Sequence, residues 1–66
     1  MTTTRSQIAS ARSLANKYCN IAKRIGINAD IARVSHAACH PKVPLSNYSF
    51  EERTIISHIR FECGIK

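Results

Sequence analysis

The chain has 66 residues, 44% of them hydrophobic and 6% aromatic, with no Trp; ten Lys and Arg stand against four Asp and Glu, a net charge of +6. That length admits one small domain, and a globule this short buries only about 60% of its unfolded surface. The composition excludes a disordered tail. No apolar run approaches the ~20 residues of a membrane span, so no membrane partner is expected.

Charge is unevenly placed. Residues 1–25 carry Arg5, Arg12, Lys17, Lys23 and Arg24 and no acid. A basic half on a small protein suits an acidic protein surface or a phosphate backbone, and ordinary solubilising charge looks the same in sequence. Cys19, Cys39 and Cys63 cannot all pair within one chain. Residues 1–8 are polar and no long apolar run follows, so no secretory signal is expected. A reduced, cytoplasmic protein fits, with thiols serving as small buried groups.

Thr4-Arg5-Ser6-Gln7 has the spacing of a capping box and opens the first predicted helix, residues 5–25. Ile8, Ala11, Ala15, Tyr18, Ala22 and Ile25 then recur at intervals of three and four, one face of a helix. Leu14 and Ile21 widen that face. Arg5, Arg12, Asn16 and Lys23 occupy another side, with Lys17 and Arg24 flanking. The face reads first as core-facing; its small residues also permit a dimer seam, although it lasts under three heptads. Gly26 ends the helix, with Ile27 packing back on the last turn, and Gly64-Ile65 repeats that punctuation.

A second helix, over about 29–39, is predicted from Asn28 as its cap, with Asp30 in the first turn. Ile31, Val34 and Ala38 share one face, and Pro41 stops the helix. Residues 40–49 form a loop stiffened by Pro41 and Pro44, with Val43 and Leu45 as anchors. Ser49-Phe50-Glu51-Glu52 is a second capping box and starts a third helix, 50–63. Ile55, Ile56, Ile59 and Cys63 mark its buried stripe; Phe50 packs beside it and Phe61 lies off it. The expected fold is a small all-α, three-helix domain with a long first helix, as a monomer or a dimer.

Ala22–Ala38 raises the question of a helix-turn-helix. Ala22, Gly26 and Ile27 suit its first half. Ile31 and Val34 arrive one place too early for its second. The face it would present holds Asn28, Arg33, Ser35 and His36, with only Arg33 a strong guanine reader, and Asp30 would repel phosphate. Two helices joined by a glycine cap is the preferred reading.

Two other constellations invite chemistry. His36, Cys39, His40, His58 and Cys63 are metal-ligating types, but they lack a zinc-site spacing and Cys39 points away from the His36/His40 line. A Cys-His nucleophile finds no orienting acid or oxyanion donors, and adjacent Glu51 and Glu52 diverge on a helix. No enzyme, metal or other cofactor is expected. An Ala-rich apolar face makes membrane insertion weak, and the scattered aromatics do not form an RNA-stacking surface.

In size, charge and lack of a catalytic constellation, the chain resembles the small regulators and inhibitors that phages and prophages carry, although no residue motif carries that likeness. The expectation is a non-enzymatic regulatory protein, an inhibitor or antirepressor, that docks a basic helical surface on a partner. Arg12, Lys17, Lys23 and Arg24 would steer an acidic partner surface, with Tyr18 as anchor; a second copy of the chain is the other partner considered. The alternative is a DNA-binding transcriptional regulator with a degenerate helix-turn-helix at 22–38. There Lys23 and Arg24 would hold phosphates while Asn28 and Arg33 approach bases.

Overall fold

Thr4 and Gln7 cap the first helix as their spacing predicts. The Gln7 amide N–H donates to Thr4 Oγ1 (3.1 Å) and the Thr4 N–H donates to Gln7 Oε1 (3.0 Å). In this computed structural model, which describes residues 3–65, helix α1 runs Arg5–Arg24, α2 Ile31–Cys39 and α3 Phe50–Cys63. Among the described residues no strand forms, and each helix packs against both others.

Both glycines sit where a helix stops. Gly26 and Gly64 have φ of 84° and 68°, the left-handed region open to glycine at low cost. Behind Gly26, the Ile27 N–H donates to Ala22 O (2.8 Å) and the Gly26 N–H to Lys23 O (3.2 Å). The pattern repeats at Ile65–Arg60 and Gly64–Phe61, so two helices end in the same Schellman motif.

The second helix starts later than predicted, at Ile31, with Asp30 rather than Asn28 as cap. The Asp30 carboxylate accepts from the Ala32 and Arg33 amides (2.9 and 3.2 Å), closing two orphan donors at once. Its own N–H donates to Glu52 Oε2 (3.3 Å), while neighbouring Ala29 is fully buried. With these two anchors Asp30 is held extended (φ −79°, ψ 118°), and the helix begins at Ile31.

The core is made largely of small side chains. Ala11, Ala15, Cys19 and Ala22 are the buried residues of α1, and they face Val34, Ala37, Ala38 and Cys39 of α2 and Ile56 and Ile59 of α3. Small residues let helix backbones approach closely. Ile8, Leu14 and Tyr18 lie at the edge of this contact, half-buried. The alanines are therefore consumed by the fold. Ala15 has no exposed surface, so the dimer seam that the α1 spacing allowed is not available there. The loop lays Val43 and Leu45 on the core as expected.

Side chains lock the three ends together. Gln7 Nε2 donates to the Cys63 and Gly64 carbonyls (3.1 and 3.3 Å), joining the start of α1 to the end of α3. Arg60 donates to Ala37 O (2.7 Å from Nη2) and to His40 O (3.1 Å), capping the end of α2. Glu52, the one buried charged residue among those described, accepts from both Asp30 N and Ser49 N (3.3 and 3.1 Å). Unmet carbonyls and amides at helix ends are thus closed from another helix.

Candidate functional site: a basic ridge and an apolar groove on the first helix

The five cations of α1 are all exposed, and among the described residues none joins a carboxylate in an ion pair or donates a hydrogen bond. Their positions follow from the helical repeat of about 100° per residue. Arg5, Arg12 and Lys23 fall on the edge of α1 nearer α2, where Arg12 lines a hollow with Ile8, His36 and His40. Lys17 and Arg24, seven residues apart, fall on the edge nearer α3. The Lys17 ammonium lies 5.8 Å from the centre of the Tyr18 ring.

The structure therefore divides the expected partner-binding set. Arg12 and Lys23 form one side of a basic ridge; Lys17, Tyr18 and Arg24 form the other. Tyr18 does not project as a free anchor. It is half-buried, donates its phenol proton to Glu62 Oε1 (2.8 Å), and meets the His58 ring edge-on at 5.4 Å. Acceptance by that carboxylate, followed by burial, holds its pKa above the ordinary tyrosine value. Glu62 also pairs with His58 Nε2 at 2.9 Å.

Beyond Tyr18 an open groove of about 380 Å³ runs between α1 and α3. Ile21, Ile25 and Ile27 line one wall, and Phe50, Ile55 and Glu51 the other. Its contents invert the usual order. The fold covers alanines on α1 but leaves Ile21 44% and Ile25 70% exposed, with Phe50 at 71% and Phe61 at 85% on α3. The first three all line the groove. Phe50, Thr54 and Phe61 fall within about 40° of arc on α3, so Phe61 extends the same apolar side.

Ile25 was expected on the buried face and Phe50 packed beside the third helix; both are exposed instead. Ile25 stands at the very end of α1, past the reach of the neighbour that covers Ala22. Phe50 is the first residue of α3, on the opposite side from Ile56 and Ile59. Spacing alone held the signal for the phenylalanines: eleven residues separate them, which returns them to one line facing away from the isoleucine stripe.

The residues named for DNA reading are placed differently. Lys23 and Arg24 are exposed, as is Asn28, which lies in the connection and outside α2. Arg33 is engaged: its Nη2 donates to Asn47 O (2.7 Å), its guanidinium lies 4.6 Å from the Tyr48 ring centre, and Glu52 is 3.9 Å away. The connection between α1 and α2 takes residues 25–30, longer than the three or four of a helix-turn-helix bend.

The His and Cys residues do not converge. His36 and His40 lie with ring centres 4.4 Å apart, and His40 Nδ1 donates to His36 O (2.8 Å). His58 and Cys63 belong to α3, with His58 held by Glu62. Among the described residues no three His, Cys, Asp or Glu side chains gather as a metal site would need. Burial raises the pKa of all three thiols, least reactive as nucleophiles in that state. Cys39 Sγ points to the Ile8 carbonyl at 3.8 Å, not to a histidine.

No described helix is long and apolar enough to cross a membrane. No family model, curated protein or solved structure matches the chain.

Proposed function

We propose that this is a non-enzymatic regulatory protein, of the inhibitor or antirepressor kind that phages carry, which docks the basic ridge of α1 on an acidic surface of another protein. The observation that carries this reading is the contrast among its cations. Arg33 and Arg60 are spent on the fold, tied to backbone carbonyls. The five cations of α1 face solvent along one rod without a carboxylate partner among the described residues. Unpaired like charges on one helix repel each other, a cost that an acidic partner relieves.

The same ridge could meet nucleic-acid phosphates. Three features favour the protein partner: the engagement of Arg33, the long connection before α2, and the Asp30 carboxylate at the start of α2, where phosphate would approach.

Affinity capture from nuclease-treated lysate tests the reading. The wild-type chain should retain a specific protein. The variant Arg12→Glu/Lys17→Glu/Lys23→Glu/Arg24→Glu should lose it at least about tenfold, with helix content unchanged. Equal retention by both overturns the ridge as the site. Binding of random duplex DNA that falls steeply between low and moderate salt would assign the ridge to nucleic acid instead.

A further inference from the structure

We propose that the groove between α1 and α3 is covered by a second copy of the same chain, related by a two-fold axis running along the groove. It shares Lys17 and Arg24 with the ridge, but its test, self-association of the pure chain, is read with no other protein present.

The argument starts from what the fold leaves bare. A 66-residue globule whose covered α1 face is mostly alanine has a lean core. Its largest exposed apolar side chains are not scattered, which would need no explanation. Ile21, Ile25 and Phe50 line one groove, and Phe61 is exposed on the same side of α3 as Phe50. A clustered face of this kind marks an interaction surface.

Charge selects the occupant. By the helical repeat, Lys17 and Arg24 flank Ile21 on the outer rim of the α1 wall. The α3 wall holds Glu51 and His58, with Glu62 one turn beyond His58. The helices run antiparallel here, as two contacts show. Tyr18 reaches Glu62 at one end, while Ile25 and Phe50 line the other. Lys17 and Glu62 are therefore level with each other, as are Arg24 and Glu51. A two-fold axis along the groove lays α1 of each copy over α3 of the other and keeps those levels. It brings Arg24 toward Glu51 of the second copy, twice, and Lys17 toward Glu62, whose Oε1 already holds Tyr18 and His58 of its own chain. An axis across the groove would instead stack α1 on α1, cation on cation. The surface is thus self-complementary in one arrangement only, the condition an isologous interface must meet.

Size sets the strength. Two helices of about 10 Å width along roughly 20 Å of α3 give on the order of 400 Å² in projection, against about 800 Å² per partner in a standard interface. Such a face suits a weak, reversible dimer rather than an obligate one.

Sedimentation equilibrium on the full chain across the micromolar range tests this. The apparent mass should rise from the 7.4 kDa of one chain toward twice that value. Ile25→Glu and, separately, Phe50→Glu should hold the chain monomeric throughout, and circular dichroism should stay at the wild-type level because both side chains are already exposed. Arg24→Glu should weaken the dimer about tenfold, and adding Glu51→Arg to it should restore most of the loss, since the pair is re-formed with its signs exchanged. A wild-type chain that stays monomeric at high micromolar concentration overturns the proposal. So does a dimer indifferent to both Ile25→Glu and Phe50→Glu, or a charge swap that fails to recover what Arg24→Glu loses. A monomer that captures a different protein through Ile25 assigns the groove to that partner and also overturns it.

Discussion

Cys19 shows how little a residue's identity says apart from its surroundings. Among thiols it is unexceptional; at the centre of α1 it is fully buried, and burial, followed by the Glu52 charge, lifts its pKa. Cys39 is raised by burial too, partly offset by Arg12. The sign of the consequence follows from linkage. A thiol whose folded pKa lies above its unfolded value contributes stability that is complete below the unfolded value. That contribution is lost as pH climbs through the folded value. The melting temperature should therefore hold near neutral pH and fall from about pH 8.5 upward, the ordinary thiol range. Cys19→Ala should fall less steeply than wild type when each is measured against its own neutral value. Identical alkaline slopes would show that the buried thiol is not what titrates. Chain order alone could name Cys19 as a small core residue. It could not place Glu52, thirty-three positions later, beside it.

At the scale of the element, most of the architecture is local and was readable. Thr4/Gln7 and Ser49/Glu52 form the two capping boxes their spacing predicts, and α3 begins and ends where predicted. These depend on groups three or four residues apart, which sequence displays directly. The Gly-Ile endings are equally local, and they make a clean experiment. A Cβ at Gly26 meets nothing within 4 Å, and one at Gly64 meets only Gln7 Nε2 at 3.8 Å. Space is available at both, so the cost of Gly26→Ala or Gly64→Ala comes from the positive φ alone. It should be about 1 kcal/mol at each site in denaturant unfolding, and less for Asn, which tolerates that conformation. A loss several times larger at either glycine would mean that packing, not backbone geometry, decides the position. The start of α2 was less legible. Asn28 and Asp30 are both good caps, and the choice fell to Asp30 because Glu52 of α3 holds its amide.

Over the whole molecule, the balance of charge has a stability consequence. The net charge is +6 with the histidines neutral, and among the described residues the two pairings to a carboxylate are Arg33–Glu52 and the His58–Glu62 contact, ionic only where the imidazole is protonated. Self-repulsion along α1 should then outweigh attraction lost to screening, because the screening length shrinks from about 30 Å at 0.01 M salt to about 8 Å at 0.15 M. Thermal melts are expected to shift upward by a few degrees over that range. A downward shift would show that the two pairs dominate. The candidate site is likewise a property of the assembled molecule. All five cations were legible in chain order, but their division into an edge near α2 and an edge near α3 required the neighbours to be in place.

The sequence by itself determined that three helices form, where α1 and α3 are capped and which residues are cationic, because each depends on interactions within a turn or two. Tertiary structure alone decided which part of α1's wide apolar arc is covered. A helix presents more apolar arc than its two neighbours need, and close packing selected the alanines because they let the backbones approach. Ile21 and Ile25 were left beside Phe50 in an open groove, held in place by contacts such as Gln7 to Cys63 that span nearly the whole chain.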